Sequence, residues 1–266
     1  MKLIRYSWLI AACLLMSAAW GRREAQETPS QPEAQPTPEA EAASSPRAVT
    51  VAVASFRTGL TFPSLEPLCV GGTPQTLAAR LRRVYLLNVR DAAQTYAALT
   101  AQKFEAAKVP LDDIAAQRKA CEAADVQFLL VGSYQDASGA GVKPETSVKI
   151  RAALFVRETG KSEDIGTVEG RLQDLPRLHA ALTAKTLEKF RALGVPVRPV
   201  EWLEATRPDI VPLDAYLLYA EGNLLWLQKK TQDAQQKYQE AYQKSNGRFD
   251  AALTAYERVG RQRIEE

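Results

Sequence analysis

The spacing of apolar positions changes several times along the chain, and each change predicts an element. Residues 48–56 are β-branched and largely apolar, the pattern of a strand buried on both faces. A Gly/Pro-rich loop follows, after which Leu77, Leu81 and Val84 recur at helical spacing, with Arg80, Arg82 and Arg83 on the other face. Residues 85–89 predict a second strand. Asp91 predicts the cap of a helix through Ala107, and Asp112 or Asp113 the start of another containing Ile114, Ala115, Arg118 and Cys121. Residues 126–134 form the most strand-like run in the chain. After a glycine-rich break, Val148, Ile150, Ala152, Leu154 and Val156 alternate with Lys149, Arg151, Ala153, Phe155 and Arg157. Gly160 turns the chain and residues 166–172 return as an antiparallel partner. Leu175, Leu178, Leu182, Leu187 and Phe190 mark a helix that ends near Gly194.

This order predicts a mixed sheet with helices packed on it, an α/β or α+β domain over residues 48–194. Pro196, Pro199, Pro208 and Pro212 interrupt regular structure over residues 195–212, which read as a Pro-rich linker. Residues 213–266 are helical. Tyr216, Leu217, Ala220, Leu224 and Leu227 make one stripe, and Ala234, Tyr238, Ala241 and Tyr242 a second; Phe249, Ala252, Leu253 and Tyr256 begin a third. The fold class expected is therefore a mixed sheet flanked by helices, plus a C-terminal helical hairpin.

The amino terminus adds an address. Residues 1–21 carry Lys2 and Arg5, then an apolar run from Trp8 to Trp20, then Gly21, the layout of a signal peptide. That run is too short for the ~20 residues of a spanning helix. Cleavage after Ala19 or Gly21 gives an exported, periplasmic chain. Ile10, Ala11, Ala12 and Cys13 offer the alternative of a lipoprotein box with lipid on Cys13, which would place the chain at the outer membrane. Residues 22–47 are rich in Pro, Glu, Ala and Gln and lack the apolar surface to order themselves, so they read as a disordered linker.

Charge and composition then narrow the chemistry. Losing Lys2 and Arg5 takes the formal charge from +3 to +1, leaving no global basic excess to suggest nucleic acid. Export brings Cys69 and Cys121 into an oxidising compartment, where the pair permits one disulfide or stays as two buried thiols. The 266 residues hold a single histidine, His179. No His-based metal cage follows, and no serine elbow accompanies His179, which reads as a partly exposed structural residue. Residues 159–162 resemble the end of a phosphate-binding loop, but Phe155 stands where its first glycine belongs, so a hairpin turn is expected. Asp112 and Asp113 fit a helix start better than a catalytic pair. Arg80, Arg82, Arg83 and Arg90 read as a solvated basic face, open to anionic headgroups or an acidic partner. No catalytic residue, cofactor or metal is assigned. Of the tail aromatics, Tyr219, Trp226 and Tyr242 are the candidate anchors for a protein partner.

Two resemblances follow from these residues. In the tail, Gly222, Ala234, Tyr238 and Ala241 match the small-small-aromatic-small positions of the tetratricopeptide repeat, where they pack paired helices. Leu218, Thr231 and Asn246 depart from that pattern. Residues 51–56, 123–134 and 152–160 resemble the amino-terminal-type domain of the TolB family and the related CsgG curli-channel and flagellar accessory families. That resemblance implies an exported protein that assembles or binds rather than catalyses. The expected function is a non-enzymatic envelope scaffold or adaptor with a protein partner or a second copy, with membrane association in the envelope open. The alternative is an oligomeric subunit of a secretion or surface-organelle assembly, although no long pair of alternating strands suits a membrane barrel.

Overall fold

The computed structural model describes residues 47–58, 65–136 and 143–265, with side chains through Arg261. The expected signal segment, Cys13 and nearly all of the residue 22–47 linker lie outside the described residues.

The sheet is mixed, as the alternation predicts. β1 (Val49–Val53) lies between β3 (Leu87–Val89) and β4 (Phe128–Asp136), parallel to both. β5 (Ser147–Val156) and β6 (Lys161–Arg171) continue the sheet antiparallel, and the short β2 (Arg57–Thr58) pairs parallel with β4. The order is β3-β1-β4-β5-β6. Opposite the step from Ala152 to Ala153, Ile165 is an extra residue between Asp164 and Gly166, so β6 bulges at that point. Gly160 turns the β5–β6 hairpin at φ +66, as expected of a residue there.

Side-chain alternation divides the strands between two cores. Val51, Val53, Phe128, Leu130, Tyr134, Ile150 and Leu154 enter the larger core, which α1 (Thr73–Leu81) and α4 (Leu175–Ala192) cover. Ala52, Leu129, Val131, Ala153 and Phe155 enter the other, under α2 (Ala92–Ala101) and α3 (Ile114–Ala123). Asp91 caps α2 by accepting from the N–H groups of Ala93 and Gln94, and Asp113 caps α3 at Ala116 N–H. α2 stops six residues before Ala107. Lys103 takes a positive φ of 66, and the Phe104 N–H returns to Leu99 O, a left-handed helix end that turns Phe104 onto the second core. The second predicted strand shortens to Leu87–Val89, and Tyr85 sits in the preceding turn.

The region read as a linker contains an ordered helix, α5 (Pro199–Thr206), followed by α6 (Leu213–Leu227), α7 (Thr231–Lys244) and α8 (Asp250–Glu265). Pro199 does not interrupt α5 because it occupies the first turn, where its missing N–H has no partner to lose. Glu201 closes that end by accepting from Arg198 N–H at 2.9 Å. Residues 44–266 form one compact unit, so the helical tail is no separate body. Ala215, Tyr216, Ala220, Ala241, Phe249 and Ala252 belong to the same core as β1 and β4. Among the described residues no helix is long and apolar enough to cross a membrane.

Candidate functional site

The join between sheet and tail holds a buried polar cluster. A π-helical turn, Pro67–Gly72, leads into α1 and lies directly on α6. A Cβ on Gly71 would sit 2.2 Å from Ala220 O and 2.7 Å from Leu224 N, so only glycine permits this backbone approach. Just beyond the turn, Thr73 Oγ1 lies 2.6 Å from the Tyr134 hydroxyl of β4 and 3.1 Å from His179 Nε2 of α4. Tyr134 OH is 3.2 Å from the same Nε2. From α6, the Tyr216 hydroxyl reaches Thr76 Oγ1 at 2.8 Å and His179 Nδ1 at 3.5 Å.

His179 is thus fully buried rather than partly exposed as its sequence neighbours suggest. Burial, helped by the positive Arg80 nearby, pulls its pKa down to about 3, so the imidazole is neutral with one donor and one acceptor nitrogen. Burial also raises the Tyr134 and Tyr216 hydroxyls well above the usual tyrosine range, so both keep their protons. The cluster is neutral, and each member bonds to another element of the fold. It joins α1, β4, α4 and α6, and chemically it is a hydrogen-bonded joint.

Arg80 belongs to this joint and not to a solvated face. It is 1% exposed, donating from Nη1 to Ala205 O and Arg207 O at 2.9 and 2.8 Å and from Nη2 to Asp209 Oδ2 at 2.7 Å. The guanidinium therefore fastens the end of α5 to α1. Of the other three arginines in the expected basic face, Arg83 donates to Glu204 O, Arg82 reaches Asp91, and Arg90 donates to Ala124 O.

The three candidate anchors, Tyr219, Trp226 and Tyr242, are half-buried in helix packing. Tyr219 lies among the rings of Tyr216, Tyr238 and Phe249, with centroids 6.1, 6.0 and 4.9 Å away. The guanidinium of Arg258 lies 4.0 Å over the Trp226 ring, and Tyr242 packs against the larger core. A Cβ on Gly222 would stand 2.7 Å from the Tyr238 ring, Tyr238 donates to Asn223 Oδ1 at 2.8 Å, and Ala234 and Ala241 are fully buried. Gly222, Ala234, Tyr238 and Ala241 thus pack α6 against α7.

The Cys69–Cys121 bridge that the sequence permits is not formed. Both thiols are free and buried, Cys69 in the larger core and Cys121 in the other, so the sheet separates them. Burial raises Cys69 to about 12 and Cys121 to about 11, leaving both protonated. Asp112 is exposed and lies 3.9 Å from Arg151. Among the described residues no three His, Cys, Asp or Glu side chains gather to hold a metal.

The sequence reading missed an exposed apolar group at α5, formed by Tyr85, Val200, Leu203 and Ile210. Its signal was present: Val200 and Leu203 stand one helical turn apart behind a proline and a capping glutamate.

No protein-family model and no curated protein sequence matches the chain. Among solved structures it is similar to the LpoB C-terminal domain from Salmonella enterica, at 15% identity and a TM-score of 0.31, over 48% of this chain and 84% of that one. The Escherichia coli LpoB C-terminal domain gives 16% identity and 0.30 over the same shares. The NMR structure of E. coli LpoB gives 13% identity and 0.32 over 64% of this chain and 88% of that one. Scores this low establish no shared fold and carry no functional argument.

Proposed function

We propose that this chain is an exported, non-enzymatic envelope scaffold that holds a protein partner or a second copy of itself. The observation that carries the reading is the joint: His179, Tyr134, Thr73, Tyr216 and Arg80 are committed to fastening a helical tail to a sheet, building one rigid body. The signal-peptide layout of residues 1–21 supplies the compartment, and the likeness of the tail to a tetratricopeptide repeat and of the sheet to the TolB and CsgG families agrees with a binding role. A subunit of a secretion or surface-organelle assembly is the second reading. It is favoured by β6, an eleven-residue strand that ends the sheet and presents a long edge on which another copy can pair.

Crosslinking the full-length chain in its own envelope, with mass photometry of the purified protein, tests both. A defined hetero-complex supports the adaptor, and a closed oligomer supports the assembly subunit. A chain that crosslinks to nothing and is monomeric at micromolar concentration overturns the proposal.

A further inference from the structure

The four most exposed large apolar side chains among the described residues lie at one corner: Tyr85 is 81% exposed, Val200 55%, Leu203 69% and Ile210 94%. Their grouping is fixed by contacts. Tyr85 N–H donates to Glu201 Oε1 at 3.1 Å, and the Arg198 guanidinium lies 6.0 Å from the Tyr85 ring centroid. Arg83 donates to Glu204 O at 2.6 Å, beside Leu203. Val200 and Leu203 share the face of α5 opposite the buried Glu201 and Ala205. Arg80 holds Arg207 O and Asp209, which precede Ile210.

The exposed charge at this corner is predominantly positive. Arg83, Arg191, Arg198 and Arg207 are exposed around the apolar tips. Of the acids, Glu201 is buried against Arg198, Asp209 is 46% exposed and paired with Arg80, and Glu204 is exposed, so arginine is in excess at this surface. A second copy of this face would oppose arginine to arginine. Four apolar tips interspersed with guanidinium groups instead match a headgroup layer: the tips enter the acyl boundary while Arg83, Arg191 and Arg207 reach the phosphates.

We propose that this corner, Tyr85, Val200, Leu203 and Ile210 ringed by Arg83, Arg191, Arg198 and Arg207, docks on an anionic phospholipid surface. The site stands apart from the partner-binding reading, since it needs no partner protein.

Flotation of the full-length chain with vesicles of phosphatidylglycerol in phosphatidylcholine, against phosphatidylcholine alone, tests it. The chain is expected to bind the anionic vesicles and to release as salt rises. The R83Q/R207Q variant is expected to bind about thirtyfold more weakly, about fivefold for each arginine. V200S/L203S is expected to weaken binding at unchanged thermal melting, because both side chains are exposed in the fold. Comparing variants of the full chain cancels any contribution of the amino-terminal segment. Equal binding of wild type and both variants, equal binding to the two vesicle types, or no binding overturns the proposal. So does loss of a crosslinked acidic protein in R83Q/R207Q with vesicle binding unchanged.

Discussion

On the face of the sheet under α2 and α3, Ala52, Ala54 and Ala153 lie beside Leu129, Val131 and Phe155, and Leu99, Ala120, Cys121 and Ala124 pack over them. On the opposite face, α1, α4 and the tail converge on larger side chains, among them Phe56, Tyr134, Phe190 and Tyr216. The alanine-lined face is closed by two helices lying near the strands, and its one thiol contact, Cys121 Sγ to Val126 O at 3.1 Å, is local. The other face must close a space where several elements meet at different heights. Tyr134, Tyr216, His179 and Arg80 bridge it, and the polar tips of these four find partners on other elements. The difference teaches that the polar side chains of this joint mark where several elements meet, whereas the alanines of the other face mark a close approach of helix and strand.

The comparison breaks most visibly if the apolar face tolerates truncation. Phe155→Ala is expected to cost about 4 kcal/mol in urea titration, because a fully buried ring on that face leaves a cavity. A loss under about 1 kcal/mol would show that the alanine-lined face is loose. Gly71→Ala probes the join on the other face. With a methyl 2.2 Å from Ala220 O, a loss of about 3 kcal/mol is expected. Gly194→Ala is its control: its added methyl meets nothing within 4 Å, and only its φ of +83 is strained, for about 1 kcal/mol. Equal losses in the two glycine variants would mean that the tail is not held by close backbone approach.

Arg80→Met sharpens the polar side of the contrast. It leaves Ala205 O and Arg207 O without their donor, while Asp209, 46% exposed, regains water, so about 2 kcal/mol is expected by the same titration. A neutral result would place the closure of α5 on α1 in packing alone. The smallest effect is the pH dependence carried by His179. Its folded pKa of about 3 lies below the unfolded value of 6.5, so the unfolded chain takes the proton first. The stabilising contribution is complete above pH 6.5 and falls as pH drops toward 3. Wild type is expected to lose about 1 kcal/mol more than His179→Asn between pH 6 and 5. Parallel curves for the two proteins would mean that His179 is reached by solvent.

The element order and the mixed sheet were legible because period-2 and period-3.6 patterns are local properties of the chain. Asp91, Asp113 and Gly160 were legible for the same reason, each acting on residues two to four positions away. α5 was hidden because four prolines signal interruption, although Pro199 sits where a helix accepts it. His179 and Arg80 were misread for a different reason. Both occupy ordinary polar positions of amphipathic helices, and nothing in α1 or α4 announces that α5 and α6 will cover those faces.

What the sequence by itself determined is therefore the order of the main strands and of most helices, the caps at Asp91 and Asp113, the turn at Gly160, and the strand alternation that sends Val51 to one core and Ala52 to the other. Only the tertiary structure decided that Cys69 and Cys121 lie on opposite sides of the sheet, that Tyr219, Trp226 and Tyr242 are half-buried in helix packing, and that the tail shares the core of the sheet. The physical reason is that burial is a property of pairs of surfaces: an amphipathic pattern states that a face will be covered, and the contacts between distant elements settle which face meets which.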